Sequence, residues 1–242
     1  IPESHITGNA SPKEKFRAWA ETIPNTLRNP LYDWTHLELR RCFGIDTLLG
    51  PETADKIWEA CNDRLTDEDF SAQGLLRKFR VDAVGTTDDP TDSLSHHETA
   101  NASNCPTKIY PTFRPDKAFF VDRPTVLIPW LNQLGGNIIS FADFLSALRA
   151  RHDYFHDKGC RLTDHGMRYA LSKPCDERKA DQILAKVREG QAANQEEADA
   201  FGALIMYHVG QWVSEKDWTM QLHLGPKRNP NTRLFDKLGP DS

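Results

Sequence analysis

Residues 158–166 read Lys-Gly-Cys-Arg-Leu-Thr-Asp-His-Gly, a short apolar run that stops abruptly at an acid, a histidine and a glycine. A buried strand whose last residues turn polar is how a parallel α/β sheet presents chemistry at its carboxyl edge, in a closed barrel or an open sheet. The same pattern recurs at residues 81–89 (Val-Asp-Ala-Val-Gly-Thr-Thr-Asp-Asp), 108–116 (Lys-Ile-Tyr-Pro-Thr-Phe-Arg-Pro-Asp) and 219–228 (Thr-Met-Gln-Leu-His-Leu-Gly-Pro-Lys-Arg). Four strand tips therefore offer Asp88 and Asp89, Arg114, Asp164 with His165, and His223. Such a set suggests a polar site with the donor types a metal ion uses.

The sequence between these runs predicts helices, so the chain from residue 81 onward reads as βα units around a parallel sheet. Residues 140–157 carry the clearest pattern. Ser140 caps the start, Asp143 stands at the returning position, and Phe141, Phe144, Leu145, Leu148, His152 and Phe155 form one stripe, predicted to cover the strand that follows. Two helices, residues 176–188 and 195–214, separate the last two strands, the second capped by Asn194 with Glu197 three residues on. Residues 91–106 are polar and read as a helix start followed by a loop. Ahead of residue 76 the reading is all-helical. Ser11, Pro12 and Glu14 make a capping box with a proline at the first helical position. A second segment, 31–43, carries Leu31, Trp34, Leu37 and Leu39 and is stopped by Gly44. A third covers 51–65, and a short one reaches Leu76. The tryptophans Trp19, Trp34, Trp58, Trp130, Trp212 and Trp218 are read as core anchors.

Lys plus Arg number 30 against 35 for Asp plus Glu, a formal charge of -5 with no basic run that would track a phosphate backbone, which argues against nucleic acid. The five cysteines are widely spaced without a Cys-x-x-Cys pair, so neither a disulfide framework nor a zinc knot is indicated, and reduced thiols in a cytoplasm are expected. No apolar run approaches the roughly 18 residues of a membrane span, and no signal-peptide pattern opens the chain. A soluble protein without membrane partners is expected. The 242 residues begin on Ile1 and end in what reads as a connecting loop, so the chain is expected to be a piece of something longer.

Of the candidate residues, His223 is the sharpest: followed by Leu224 and Gly225 at a strand end, its ring would contact metal or substrate, the alternative being a core histidine bonded to backbone. Asp164 and His165 are adjacent and must point to opposite sides of a strand; Asp164 is favoured as the residue facing the site. Arg114, between Phe113 and Pro115, offers a bidentate fork suited to a carboxylate, or else an ion pair with Asp116. Asp88 and Asp89 read first as loop and cap residues. His96 with His97, and His152 with His156, read as solvated helix faces rather than metal sites. No P-loop, GxGxxG, nucleophile elbow or Cys/His nucleophile setting is present.

Taken together, Arg28-Asn29-Pro30-Leu31-Tyr32-Asp33-Trp34-Thr35-His36-Leu37-Glu38-Leu39, Val84-Gly85-Thr86-Thr87-Asp88-Asp89-Pro90, Pro111-Thr112-Phe113-Arg114-Pro115-Asp116-Lys117, Thr163-Asp164-His165-Gly166, and Gln221-Leu222-His223-Leu224-Gly225 with Arg228-Asn229 closely resemble the uronate (glucuronate) isomerase family, of the amidohydrolase superfamily, in order and spacing. The resemblance implies an α/β fold: a partial (β/α)8 TIM-like barrel of about four parallel strands over residues 77–242, with an all-helical insertion subdomain at 1–76. It implies interconversion of D-glucuronate with D-fructuronate and of D-galacturonate with D-tagaturonate, an aldose–ketose shift through an enediol. Arg114 and Arg228 would contact the hexuronate, Asp164 would be the strand-end catalytic acid, with Arg114 assisting, and His223 would lie by a divalent metal, zinc in most of the family. A cytoplasmic enzyme follows, with a homo-oligomer left open.

The family's first strand carries a His-x-His metal pair and a following His-Tyr pair, and its last strand an Asp ligand and an arginine. None of these falls within residues 1–242, so the expectation is that this chain alone neither holds the metal tightly nor isomerises uronates at a native rate. Two other readings stand beside this one: a metal-dependent hydrolase of the same superfamily, and a non-catalytic fragment in which Arg114, Asp164 and His223 are structural.

Overall fold

The computed structural model describes residues 1–225 and 229–239. The chain divides into two compact units, Ile1–Val81 and Asp82–Ser242.

The first unit is helical. Helix α1 (Pro12–Thr22) starts as its sequence predicts: Ser11 Oγ accepts from the Glu14 amide while the Glu14 carboxylate accepts from the Ser11 amide, so two otherwise orphaned N–H groups are satisfied. Helix α2 (Pro30–Glu38) runs into a π-helical turn, Leu39–Phe43, closed by Gly44 at φ +71°, where a side chain would be strained. Helices α3 (Ala54–Leu65) and α4 (Ala72–Lys78) complete the unit. Ala20, Ile23, Leu39, Leu49, Ala54 and Ile57 form its core. Trp19 packs against that core, and Trp58 meets the Phe16 ring at 5.4 Å. Trp34 does not behave as a core anchor: it is 58% exposed, together with Leu31 and Leu37, so that face of α2 is left uncovered and the buried contribution comes from Leu39 and Tyr32.

The second unit is α/β. Strand β1 (Ala83–Gly85), helix α5 (Ser95–Ala102), strand β2 (Lys108–Tyr110), helices α6 (Pro124–Leu134) and α7 (Phe141–Asp157), strand β3 (Leu162–Met167), helices α8 (Glu177–Arg188) and α9 (Gln195–Glu215), strand β4 (Thr219–Leu224) and helix α10 (Thr232–Leu238) follow in order. Strand β1 pairs in parallel with β2, and β3 with β4, the latter in the register Asp164 to Gln221 and Gly166 to His223. Parallel bridges from Phe113 to Asp88 and to Thr163 join the two pairs. Consecutive parallel strands need crossovers, and the helices between them supply these.

Phe113 is fully buried where the pairs meet, and α7 covers it with Phe155 (ring centroids 5.1 Å apart) and His152 (5.4 Å). The α7 stripe is therefore the core contact its spacing predicts, with Phe141, Phe144, Leu148, His152 and Phe155 all buried. Helix α6, unassigned from sequence, buries Leu127, Trp130, Leu131 and Leu134; Pro124 opens it, and an internal Pro129 masks its pattern. Among the described residues no helix is long and apolar enough to cross a membrane.

Candidate active site

Asp88 and Arg114 follow the ends of β1 and β2, whereas Asp164 and His223 lie within β3 and β4, and parallel pairing sets these four segments side by side. Alternation along β3 then decides which side chain faces where. Asp164 turns to the edge beside Arg114 and His223, whereas His165 turns inward, fully buried, with its Nδ1 3.6 Å from an Asp116 carboxylate oxygen. Strand β3 runs on to Met167, so Asp164 and His165 lie within it rather than beyond its end.

The three residues singled out from sequence come together. Arg114 Nη1 lies 3.2 Å from Asp164 Oδ2, and His223 Nδ1–H donates to Asp164 Oδ1, so the two oxygens of one carboxylate are divided between a guanidinium and an imidazole. They line a cavity of about 460 Å³ with Thr87, Gly166, Met167 and Arg168. The His223 side chain is 63% exposed, which rules out the core-histidine alternative. Arg114 forms the alternative ion pair as well: its Nε donates to Asp116 Oδ2 at 2.9 Å. That hydrogen bond, with the charges of Asp116 and Asp164, holds the guanidinium pKa above its ordinary value despite partial burial, so Arg114 stays cationic. Arg228 lies outside the described residues.

Asp88 and Asp89 do the loop work expected of them. Asp88 Oδ2 accepts from the Thr112 amide (3.0 Å) and the Thr86 hydroxyl (2.6 Å). Asp89 Oδ1 accepts from the Thr91 amide (2.9 Å) and from Trp130 Nε1 (2.7 Å), tying the loop to α6. Burial opposes ionisation of Asp89, but these bonds and Lys117 hold its pKa below the usual range.

Two histidine readings need correction. His97 is not on a solvated face: its Nε2 lies 2.7 Å from the Thr86 hydroxyl and 3.6 Å from Asp88. His152 is fully buried between Phe113, Trp212 and Trp218, the last ring centroid 4.1 Å away, because its place in the apolar stripe of α7 outweighs its polarity. Burial, with Arg149, depresses its pKa to about 4. His156, its i+4 neighbour, accepts from Trp218 Nε1 at 3.0 Å. Cys160 is buried, and that burial pushes its thiol to about 11, which removes it as a nucleophile at neutral pH.

Among the described residues no group of three or more His, Cys, Asp or Glu side chains is placed to hold a metal. His223 and Asp164 are the two donors that meet at the cavity, bonded to each other through His223 Nδ1 only; a tightly held divalent ion of the zinc type takes three or four protein ligands. The donor set present does not fit such an ion by itself.

Gly166, named in the motif but given no role, and Arg168, not singled out from sequence, both line this cavity. A Cβ on Gly166 would lie 2.6 Å from Arg114 Nη2, so glycine is what lets the guanidinium rest against β3. The signal was there in a glycine interrupting a strand, which marks close approach by another group.

The glucuronate isomerase family model matches residues 1–242. Uronate isomerases of Solibacter usitatus and Opitutus terrae are 50% and 46% identical to the chain along its whole length. The chain belongs to the glucuronate isomerase family. Solved structures carry the same architecture: the uronate isomerase of Thermotoga maritima superposes on the whole chain with a TM-score of 0.93 at 35% identity. The glucuronate isomerase of Caulobacter crescentus, at 24% identity over 98% of the chain, shares the fold with a TM-score of 0.87. The chain spans about half the length of these relatives, 53% and 52% of the two sequences and 54% and 50% of the two structures.

Proposed function

We propose that this chain carries the Arg114–Asp164–His223 portion of a uronate isomerase active site, in a protein that interconverts D-glucuronate with D-fructuronate and D-galacturonate with D-tagaturonate. The observation that carries this reading is the convergence of a guanidinium, a carboxylate and an imidazole from three segments distant in sequence on one cavity, in a chain of this family. In the same reading the four parallel strands are part of a (β/α)8 barrel, and the helical unit before them is an insertion near its start. Strand β4, exposed or half-buried at every position, would be covered by further strands of that barrel.

The chemistry asked of the site is a hydrogen shift. A base removes the proton on C2 of the open-chain aldose, and the C1 carbonyl and C2 hydroxyl become an enediol. A proton then returns to C1 while the C2 oxygen gives up its own, which leaves a C2 ketone and no net change in atoms. Arg114, permanently cationic, would bind an oxygen that gains negative charge or the uronate carboxylate. The hydrogen-bonded Asp164–His223 pair would hold and move a proton, as an imidazole oriented by a carboxylate does. A divalent cation, zinc in this reading, would supply Lewis-acid polarisation of a carbonyl, and His223 would be one of the residues that hold it. The described residues do not by themselves complete its coordination sphere.

The test is conversion of D-glucuronate and D-galacturonate by the full-length protein, beside an ester and amide panel. Arg114→Lys, Asp164→Asn and His223→Asn are each expected to lower kcat/KM for uronates by about 100-fold or more, the range of a lost acid–base group. Hydrolysis of the panel without uronate turnover would favour the metal-dependent hydrolase. Lost stability with turnover unchanged would favour the structural reading.

A further inference from the structure

Asp116 lies two residues beyond Arg114, outside the cavity lining, and its carboxylate is largely buried, with 16% of the side chain exposed. Its Oδ2 accepts from Arg114 Nε at 2.9 Å and from the Gly166 amide at 3.0 Å. One oxygen thus fastens the tip that follows β2 to the carboxyl end of β3. Burial pushes the Asp116 pKa up, but the neighbouring His165 ring, the Gly166 amide and the Arg114 guanidinium together hold it below the ordinary value, so the charge that grips Arg114 is present at neutral pH.

The geometry uses up one edge of the guanidinium. Nε is on Asp116, Nη2 rests against the Cα of Gly166 with no room for a Cβ, and Nη1 is left beside Asp164 at the cavity. A freely rotating arginine could not reserve that edge, because its planar fork would sample several partners. Removing both neighbours would therefore cost orientation rather than charge.

We propose that Asp116, with the absent side chain of Gly166, is a positioning device for Arg114: it fixes the guanidinium so that the Nη1 edge alone meets Asp164 and whatever binds in the cavity. This rests on the proposed isomerase reading for the identity of that ligand, a hexuronate, but its structural half stands separately.

Two variants test it. Asp116→Asn keeps a neutral acceptor for the Gly166 amide and removes the charge that grips Arg114. Gly166→Ala keeps the carboxylate and drives a methyl group into Nη2. The side-chain Nε–H resonance of Arg114, assigned through Arg114→Lys, is read by nitrogen-edited NMR in this chain, with and without D-glucuronate. In parallel, kcat and KM for D-glucuronate are read in the full-length protein. Both variants are expected to shift the Arg114 signal and speed its exchange with water. They are also expected to lower kcat/KM by about 100-fold, as displacement of a positioned group by about 1 Å does, while the near-ultraviolet circular dichroism is retained. An Arg114 signal unchanged in Asp116→Asn, or turnover unchanged in both variants, overturns the proposal. A signal that moves in both variants, beside a full-length parent protein that does not convert D-glucuronate, supports the positioning and contradicts the isomerase reading, so the two failures are distinguishable.

Discussion

His152 shows what a buried titratable group does when no hydrogen bond accompanies it. Neither ring nitrogen has a hydrogen-bond partner among the described residues, and aromatic rings surround it. The groups that face it divide: Arg149 and Lys216 disfavour its protonation and Asp153 favours it, but burial dominates and the pKa falls from 6.5 to about 4. Between those values the unfolded chain takes up a proton that the native ring does not hold. This contribution to stability is therefore complete above pH 6.5 and declines as the pH falls toward 4, by roughly 3 kcal/mol in all. Replacing His152 with Phe, which suits the aromatic surroundings, is expected to flatten the fall in unfolding free energy over that window while changing it little at pH 7. Denaturant melts at several pH values check this, and an unchanged slope would show that the ring is protonated in the native state. A meeting of Asp164 and His223 was legible because polar groups in or just after apolar runs are conspicuous, and the structure does bring the two together. His97, and His152 as half of a solvated pair with His156, were misread because adjacent and i, i+4 histidines look alike on a solvated or a packed helix; the place of His152 in the apolar stripe of α7 was the reading that held.

Elements were legible where local chemistry fixes them. Both predicted capping boxes on serines, at Ser11 and Ser140, are formed, and so is the one on Asn194. Ser140→Ala is expected to cost about 1 kcal/mol, the typical worth of a cap, seen as a lower thermal midpoint. Strand lengths and α6 were less legible. Strands β1 and β2 hold regular pairing for three residues each, and their junction with β3 passes through single bridges at Phe113, a contact between distant segments that no local pattern announces. Phe113 should therefore matter more than its place three residues beyond β2 suggests. Phe113→Ala leaves a cavity under α7 where the two strand pairs meet and is expected to lose about 3–5 kcal/mol, the usual range for a buried phenylalanine. A loss below about 1 kcal/mol in urea melts would show that the junction is not a packed core.

For the molecule as a whole, family membership and a parallel α/β unit were readable because the long runs around Arg114, Asp164 and His223 keep their order. What could not be read was how the two donors at His223 and Asp164 would be arranged, since a coordination sphere is a property of three-dimensional convergence. Two donors fall short of the three or four ligands a zinc ion takes, and no group of three is placed to hold one among the described residues, so this chain by itself is expected to lack a tightly held zinc ion. Equilibrium dialysis with Zn²⁺ should then find no stoichiometric binding lost on His223→Asn. The deeper matter is whether Asp164 and His223 act as one unit in a uronate isomerase. A double-mutant cycle on kcat/KM for D-glucuronate, with Asp164→Asn, His223→Asn and the pair in the full-length protein, decides it. If the hydrogen-bonded pair moves a proton together, the double variant is scarcely worse than either single one; losses that simply multiply would show two independent residues and contradict the site described here.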